Sequence, residues 1–210
     1  MVIWLEGLLD LLFPPRCEIC KKMGRECLCQ DCLRQIKFMK PQMGVFCAAA
    51  YSGVMREALH RLKFKKRKKL VGPLGMLLVK YLSSLPNFNM REIDLIVPIP
   101  LHPRRWRQRG FNQSQLLADT LSKYFGVPVK ETLQRIRDTK PQFDLPRKER
   151  LINLAGAFKV QDPLPISRKR ILLVDDIYTT GATIAEGLRA LKAAGAQKIE
   201  VLTLARAIED

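Results

Sequence analysis

The chain has 210 residues, enough for one ordinary domain with a buried core and a small appendage. Lysine and arginine number 37 against 20 acidic residues, a net charge of +17 that points to polyanion partners such as nucleic acid. No apolar run approaches the roughly eighteen residues a membrane span needs.

In chain order, Met1 to Phe13 reads as a short amphipathic helix stopped by Pro14 and Pro15. It lacks a basic leader and carries Glu6 and Asp10, so it does not read as an export signal. A cytoplasmic, reducing compartment is expected, with the six cysteines serving as metal ligands or free thiols rather than disulfides. Cys17-x-x-Cys20 and Cys29-x-x-Cys32 suit four thiolates around a structural zinc ion. Cys27 could stand in for Cys29 as third ligand; spacing favours Cys29, and free or redox-active thiols are the competing reading. Cys47 lies in an apolar run and reads as core.

Val45 to Tyr51 reads as a strand and Val54 to Phe64 as a helix with Leu59 and Leu62 on its apolar side. Lys63-Phe-Lys65-Lys66-Arg67-Lys68-Lys69 then sets six cations around one aromatic. That is a footprint for a phosphate backbone with a base on Phe64, or a solvated helix end with Phe64 in the core. Pro73 starts another helix, which ends near Leu85. Ile93 to Pro100 is an apolar strand whose prolines place it at a sheet edge or running out into a loop.

The segment from Leu101 to Ser114 reads as an arginine-rich loop leading into a helix from Gln113 to Tyr124. Arg109 and Gly110 suit a pyrophosphate: guanidinium matches its shape, and glycine lets backbone approach closely. Arg104, Arg105, Trp106 and Arg107 equally suit single-stranded nucleic acid. His102 reads as an ordinary loop residue. Arg135 to Arg150, punctuated by Pro141 and Pro146, reads as a long loop suited to be a lid, and residues 153–160 return to the sheet.

Ile171 to Val174 reads as a buried parallel strand that delivers Asp175 and Asp176 to its carboxyl end. Thr179, Thr180, Gly181, Ala182 and Thr183 follow as a small-residue turn before a helix, an arrangement whose free N–H groups and dipole favour an anion. Carboxylates beside such a cradle face hydroxyls or hydrated Mg²⁺, and a ribose 5-phosphate satisfies both halves. Gln197 to Leu204 supplies a last strand. The alternation of strand and helix gives an α/β class with a parallel sheet.

The stretch Val174 to Thr183 resembles the PRPP-binding motif of type I phosphoribosyltransferases. Together with the paired cysteines, Arg109-Gly-Phe-Asn-Gln113 and the 142–150 segment, the chain resembles the ComF family of competence proteins from about Cys17 to Ala205. The resemblance implies a type I phosphoribosyltransferase-like parallel sheet with helices on both faces, over 45–210. A small four-cysteine zinc module would occupy 1–44. It further implies that Asp175 and Asp176 hold the ribose, Thr179 to Thr183 the 5-phosphate, and Arg109 and Gly110 the pyrophosphate of Mg-PRPP. Single-stranded DNA is the implied polyanion, with other competence proteins, such as a helicase-like uptake factor, as partners. The likeness to 6-oxopurine transferases fails at Thr179, where those enzymes place an aspartate, and no element for a nucleobase acceptor is evident.

Overall fold

The computed structural model describes residues 14–41, 44–137 and 156–208. The helix expected over 1–13 lies outside them, as do residues 138–155, which hold most of the expected lid.

The described chain runs through α1 (Gln30–Arg34), β1 (Phe46–Ala50), α2 (Gly53–Phe64), α3 (Val71–Ser83), β2 (Leu95–Pro98), α4 (Pro103–Arg109) and α5 (Gln113–Phe125). It continues with β3 (Leu133–Arg135), β4 (Phe158–Val160), β5 (Arg170–Tyr178), α6 (Ala182–Ala193) and β6 (Lys198–Arg206). The main sheet has the order β1-β6-β5-β2, and each of its pairings is parallel. The carboxyl ends of its strands therefore share one edge. β2 forms an outer strand, as its prolines require, and Pro98 is its last residue.

β5 is apolar on successive residues because it is covered on both faces. Its Leu172 and Val174 share a core with Leu59 of α2, Leu78 of α3 and Leu117 of α5. Its Ile171 and Leu173 share a second core with Ile184 and Leu191 of α6. Each such fully buried aliphatic side chain stabilises the fold by about 1.5–3 kcal/mol relative to exposure. Helices thus lie on both faces. A Cβ on Gly75 of α3 would come within 2.6 Å of Thr120 in α5, so glycine lets these two helices close on each other.

Two expectations are corrected. Of the segment 153–160, residues 153–155 lie outside the described residues and the rest does not rejoin the main sheet: Phe158–Val160 pairs antiparallel with Leu133–Arg135 in a separate two-stranded sheet. Leu133 and Phe158 pack there into the α6-side core, so burial is satisfied without a place in the main sheet. The arginine-rich segment is not a loop but largely helix α4. Pro103 occupies its first turn, where a missing N–H costs nothing, and His102 Nδ1 accepts from the Arg104 N–H at 3.3 Å.

The cysteine-bearing segment is docked, not tethered. Cys17, Leu28, Cys32 and Ile36 belong to the same core as Leu59 and Leu202. Its exit segment forms an isolated antiparallel bridge to β1 at Phe38 and Ala49, with Ala50 N–H donating to the Lys37 carbonyl at 2.8 Å and Met39 N–H to the Ala48 carbonyl at 3.1 Å.

Candidate functional site

β5 continues through both acids to Tyr178, so Asp175 and Asp176 sit within the strand near its carboxyl end, 8% and 5% exposed. Buried carboxylates demand partners. The Ser114 hydroxyl donates to Asp175 Oδ1 at 2.9 Å, and the Asp176 N–H donates to the same oxygen at 2.8 Å. Asp176 Oδ2 accepts from Gln113 Nε2 at 2.7 Å and pairs with Lys63 Nζ at 2.8 Å. Asn112 fixes the start of α5: its Oδ1 accepts from the Ser114 N–H at 3.1 Å and its Nδ2 donates to the Ile99 carbonyl at 2.9 Å. Residues 112–114 therefore join the ends of β2 and β5.

These environments split the pair. Burial, reinforced by the Asp176 charge, pushes the Asp175 carboxyl up to about 7. Burial acts on Asp176 in the same direction, but the Lys63 ammonium, the Gln113 amide and the Arg109 guanidinium outweigh it and hold Asp176 below the usual carboxylate range. Near neutral pH the site holds one firmly ionised acid beside one poised to titrate.

The hydroxyl-rich turn lies next to this pair. Gly181 adopts φ 78°, a left-handed conformation suited to glycine, directly before α6. A Cβ there would also collide with the Tyr178 hydroxyl. Thr180 Oγ1 accepts from the Ala182 N–H at 3.5 Å. Thr179 is exposed, Thr180 and Thr183 are half-buried and Ala182 is buried. Gly110 ends α4 at φ 77°, its N–H donating to the Trp106 carbonyl at 2.6 Å. Arg109 just before it is half-buried and lies 5.4 Å over the Phe64 ring.

Phe64 is not in the core; it is 64% exposed, with His60 5.0 Å away on the preceding helical turn. Lys65 to Lys69 are exposed, and Lys68 lies 5.0 Å over the Phe111 ring. Arg104, Trp106 and Arg107 are exposed on α4, with Arg105 half-buried and Trp106 54% exposed. Lys63 is a further correction: expected to face a polyanion with the rest of the run, it is turned onto Asp176. Lys63, Gln113 and Ser114 are not marked by the sequence as partners of the acid pair. The signal for Lys63 is its place one helical turn after Leu59, on the inward side of α2. A cavity of ≈ 40 Å³ lies at the opposite, amino edge of the sheet, where the Arg170–Glu92 pair at 2.8 Å already matches its charges.

The sulfurs of Cys17, Cys20, Cys29 and Cys32 lie within 4.8 Å of one another, and Cys27 is outside the group. Cys27 Sγ instead donates to the Lys69 carbonyl at 3.1 Å. Burial raises the Cys17 thiol, but N–H groups of Cys29, Cys20 and Ile19 outweigh it and hold it down at about 6, whereas burial and the neighbouring thiols push Cys32 up. Four convergent sulfurs fit tetrahedral zinc.

Residues 112–210 match the phosphoribosyl transferase domain family and residues 8–59 the double zinc ribbon domain family. The chain is 31% identical over 207 residues to the DNA utilization protein YhgH of Escherichia coli K12, covering 91% of this chain and 90% of that one. It is 33% identical over 196 residues to the competence protein ComFC of Streptococcus pneumoniae, covering 90% and 80%. The chain belongs to the ComF family. Among solved structures, the glutamine phosphoribosylpyrophosphate amidotransferase of B. subtilis aligns at 18% identity and a TM-score of 0.47. That alignment covers 70% of the ComF-family chain and 30% of the longer enzyme. The ComF-family chain has a phosphoribosyltransferase-like parallel sheet with a cysteine module suited to zinc. Among the described residues no helix is long and apolar enough to cross a membrane.

Proposed function

We propose that this ComF-family protein is a competence-type DNA-handling factor that holds single-stranded DNA on its basic edge and a phosphoribosyl ligand on the carboxyl edge of its sheet. The observation that carries the reading is contiguity: the Arg109 guanidinium favours the Asp176 charge and also covers exposed Phe64, where Lys65 to Lys69 begin. Asp175 and Asp176 would take ribose hydroxyls, Thr179 to Thr183 the 5-phosphate, and Arg109 and Gly110 the pyrophosphate of PRPP, with Mg²⁺ neutralising the phosphates. Lys65 to Lys69 with Arg104 to Arg107 would carry the strand's backbone, and Phe64 and Trp106 its bases. Zinc on Cys17, Cys20, Cys29 and Cys32 would hold together a module over 1–44, with the ligand-binding domain over 45–210. The names of the relatives, a DNA utilization protein and a competence protein, support a DNA-handling role. In DNA uptake its partners would be other competence proteins, such as a helicase-like factor.

The test is fluorescence anisotropy of a labelled single-stranded oligonucleotide across a salt series, with the Lys65 to Lys69 run intact or replaced by alanine. Tight, salt-sensitive binding with a flatter slope in the variant is expected. An unchanged slope removes the run from the reading.

A second reading, transfer of the phosphoribosyl group to a base or amine, is favoured by the phosphoribosyl transferase match over residues 112–210. Pyrophosphate would then leave the ribose C1, with positioning and charge stabilisation supplying most of the rate. Asp176→Asn should abolish pyrophosphate release from PRPP plus acceptor, and an unaffected rate counts against transfer.

A further inference from the structure

Two cations link the acid pair to the basic edge, and both are already engaged. Lys63 gives Nζ to Asp176 at 2.8 Å, its side chain 15% exposed, and Arg109 lies 5.4 Å over Phe64. The backbone that follows Lys63 is pinned to its own helical turn. The Arg61 carbonyl accepts from the Lys65 N–H at 3.0 Å and from the Arg67 N–H at 3.2 Å. Beyond that point Lys68 covers Phe111, while Gln113, two residues on, donates to Asp176 at 2.7 Å. The short stretch from Phe111 to Ser114 is therefore gripped by the basic run on one side and by the acid pair on the other.

We infer that Lys63 and Arg109 form an exchange relay through which a sugar phosphate bound at Asp175 and Asp176 tightens the protein's hold on a single nucleic-acid strand. The inference rests on the two-ligand reading above. A ribose brings hydroxyl donors to Asp176 and the Mg²⁺ that accompanies the sugar phosphate brings positive charge to the acid pair, so the Lys63 ammonium is no longer the group on which the buried charge depends. The ligand's phosphates offer Arg109 a stronger partner than an exposed aromatic ring. Lys63, once released, stands two residues before the Lys65 to Lys69 run and adds a cation to it. Departure of Arg109 uncovers a face of Phe64, whose other neighbour is His60, and a base can stack there. Both movements favour the strand. By linkage the strand must tighten the sugar phosphate by the same factor.

The test uses the full chain and a labelled single-stranded oligonucleotide titrated with and without saturating Mg-PRPP. The wild-type Kd is expected to fall by on the order of fivefold or more when Mg-PRPP is present, with the reciprocal titration giving the same factor. Lys63→Met should bind both ligands with the mutual effect lost. Because that change strands a buried carboxylate, Phe64→Leu is the companion variant; it alters an exposed side chain and should also lose most of the effect. Binding of both ligands to wild type with no mutual effect, or with mutual weakening, overturns the relay and leaves the two-ligand reading standing. Full coupling retained in folded Lys63→Met and in Phe64→Leu overturns it too. Failure of either ligand to bind at all defeats the two-ligand reading itself.

Discussion

Asp175 and Asp176 are adjacent in one strand yet are shifted in opposite directions from the ordinary carboxylate range: burial and its neighbour raise the first to about 7, whereas Lys63 and Gln113 hold the second down. The pair therefore titrates at a single point in the physiological range.

A pH dependence follows. Asp175 holds its proton more tightly folded than unfolded, so its contribution to stability is full below about pH 4 and is lost as pH rises through about 7. Asp176 has the opposite sign: its contribution is present at neutral pH and lost only as pH falls through its depressed value. Ligand hydroxyls need an ionised acceptor, so affinity for ribose 5-phosphate should rise from pH 6 to pH 8. Calorimetric titration of wild type against Asp175→Asn separates this from titration of the ligand's own phosphate. The same pH profile in both would remove Asp175 from the site.

Lys63→Met should lower stability by about 3 kcal/mol, because Asp176 is left ionised and buried without its cation. Adding Asp176→Asn should recover part of that loss. Urea unfolding of the two single variants and the double variant measures the coupling, and additive losses would mean the 2.8 Å pair contributes nothing.

Gly181→Ala should destabilise the fold by on the order of 1–2 kcal/mol, from the left-handed backbone alone, and should push Tyr178 aside. Loss of stabilisation by ribose 5-phosphate in thermal melts is the expected readout. A variant with wild-type melting and a wild-type ligand shift would show that the turn has room to spare.

Purified under reducing conditions, the protein should carry a single zinc ion, lost in Cys17→Ser and in Cys29→Ser and retained in Cys27→Ser. Metal analysis of the three variants decides it. Since Cys17 and Cys32 share a core with Leu59 and Leu202, zinc removal by a chelator should lower the melting temperature of the whole chain, not only of the module.

The parts legible in the sequence are those whose partners lie close by along the chain. Ile171 to Val174 announces a buried strand because coverage on both faces needs no polar alternation, and the acids after it stand where parallel sheets expose their ends. The two C-x-x-C pairs predict their own convergence, borne out in the sulfur positions. Long-range pairing was hidden. Lys63 reads as one cation in a run of six, and only the packing of α2 against β5 turns it toward an acid far along the chain. Gln113 and Ser114 look like an ordinary polar helix start, and their targets lie 63 and 61 residues away. Helix α4 was obscured because proline and clustered arginine argue for a loop, although proline is tolerated in a first turn. The short β3–β4 pair has three residues on each side, too few for any periodicity to show.

The sheet order has a consequence for how the molecule is made. β1 finds its parallel partner in β6, and Cys47 meets Thr203 at a sequence separation of 156. During synthesis the early strand, with the cysteine segment packed beside it, must wait at the ribosome with an unpaired edge until β6 has emerged. Closure of so long a loop makes folding slow and leaves the nascent edge open to aggregation. Chaperone dependence at high expression is the natural corollary of a sheet whose first strand is completed by its last.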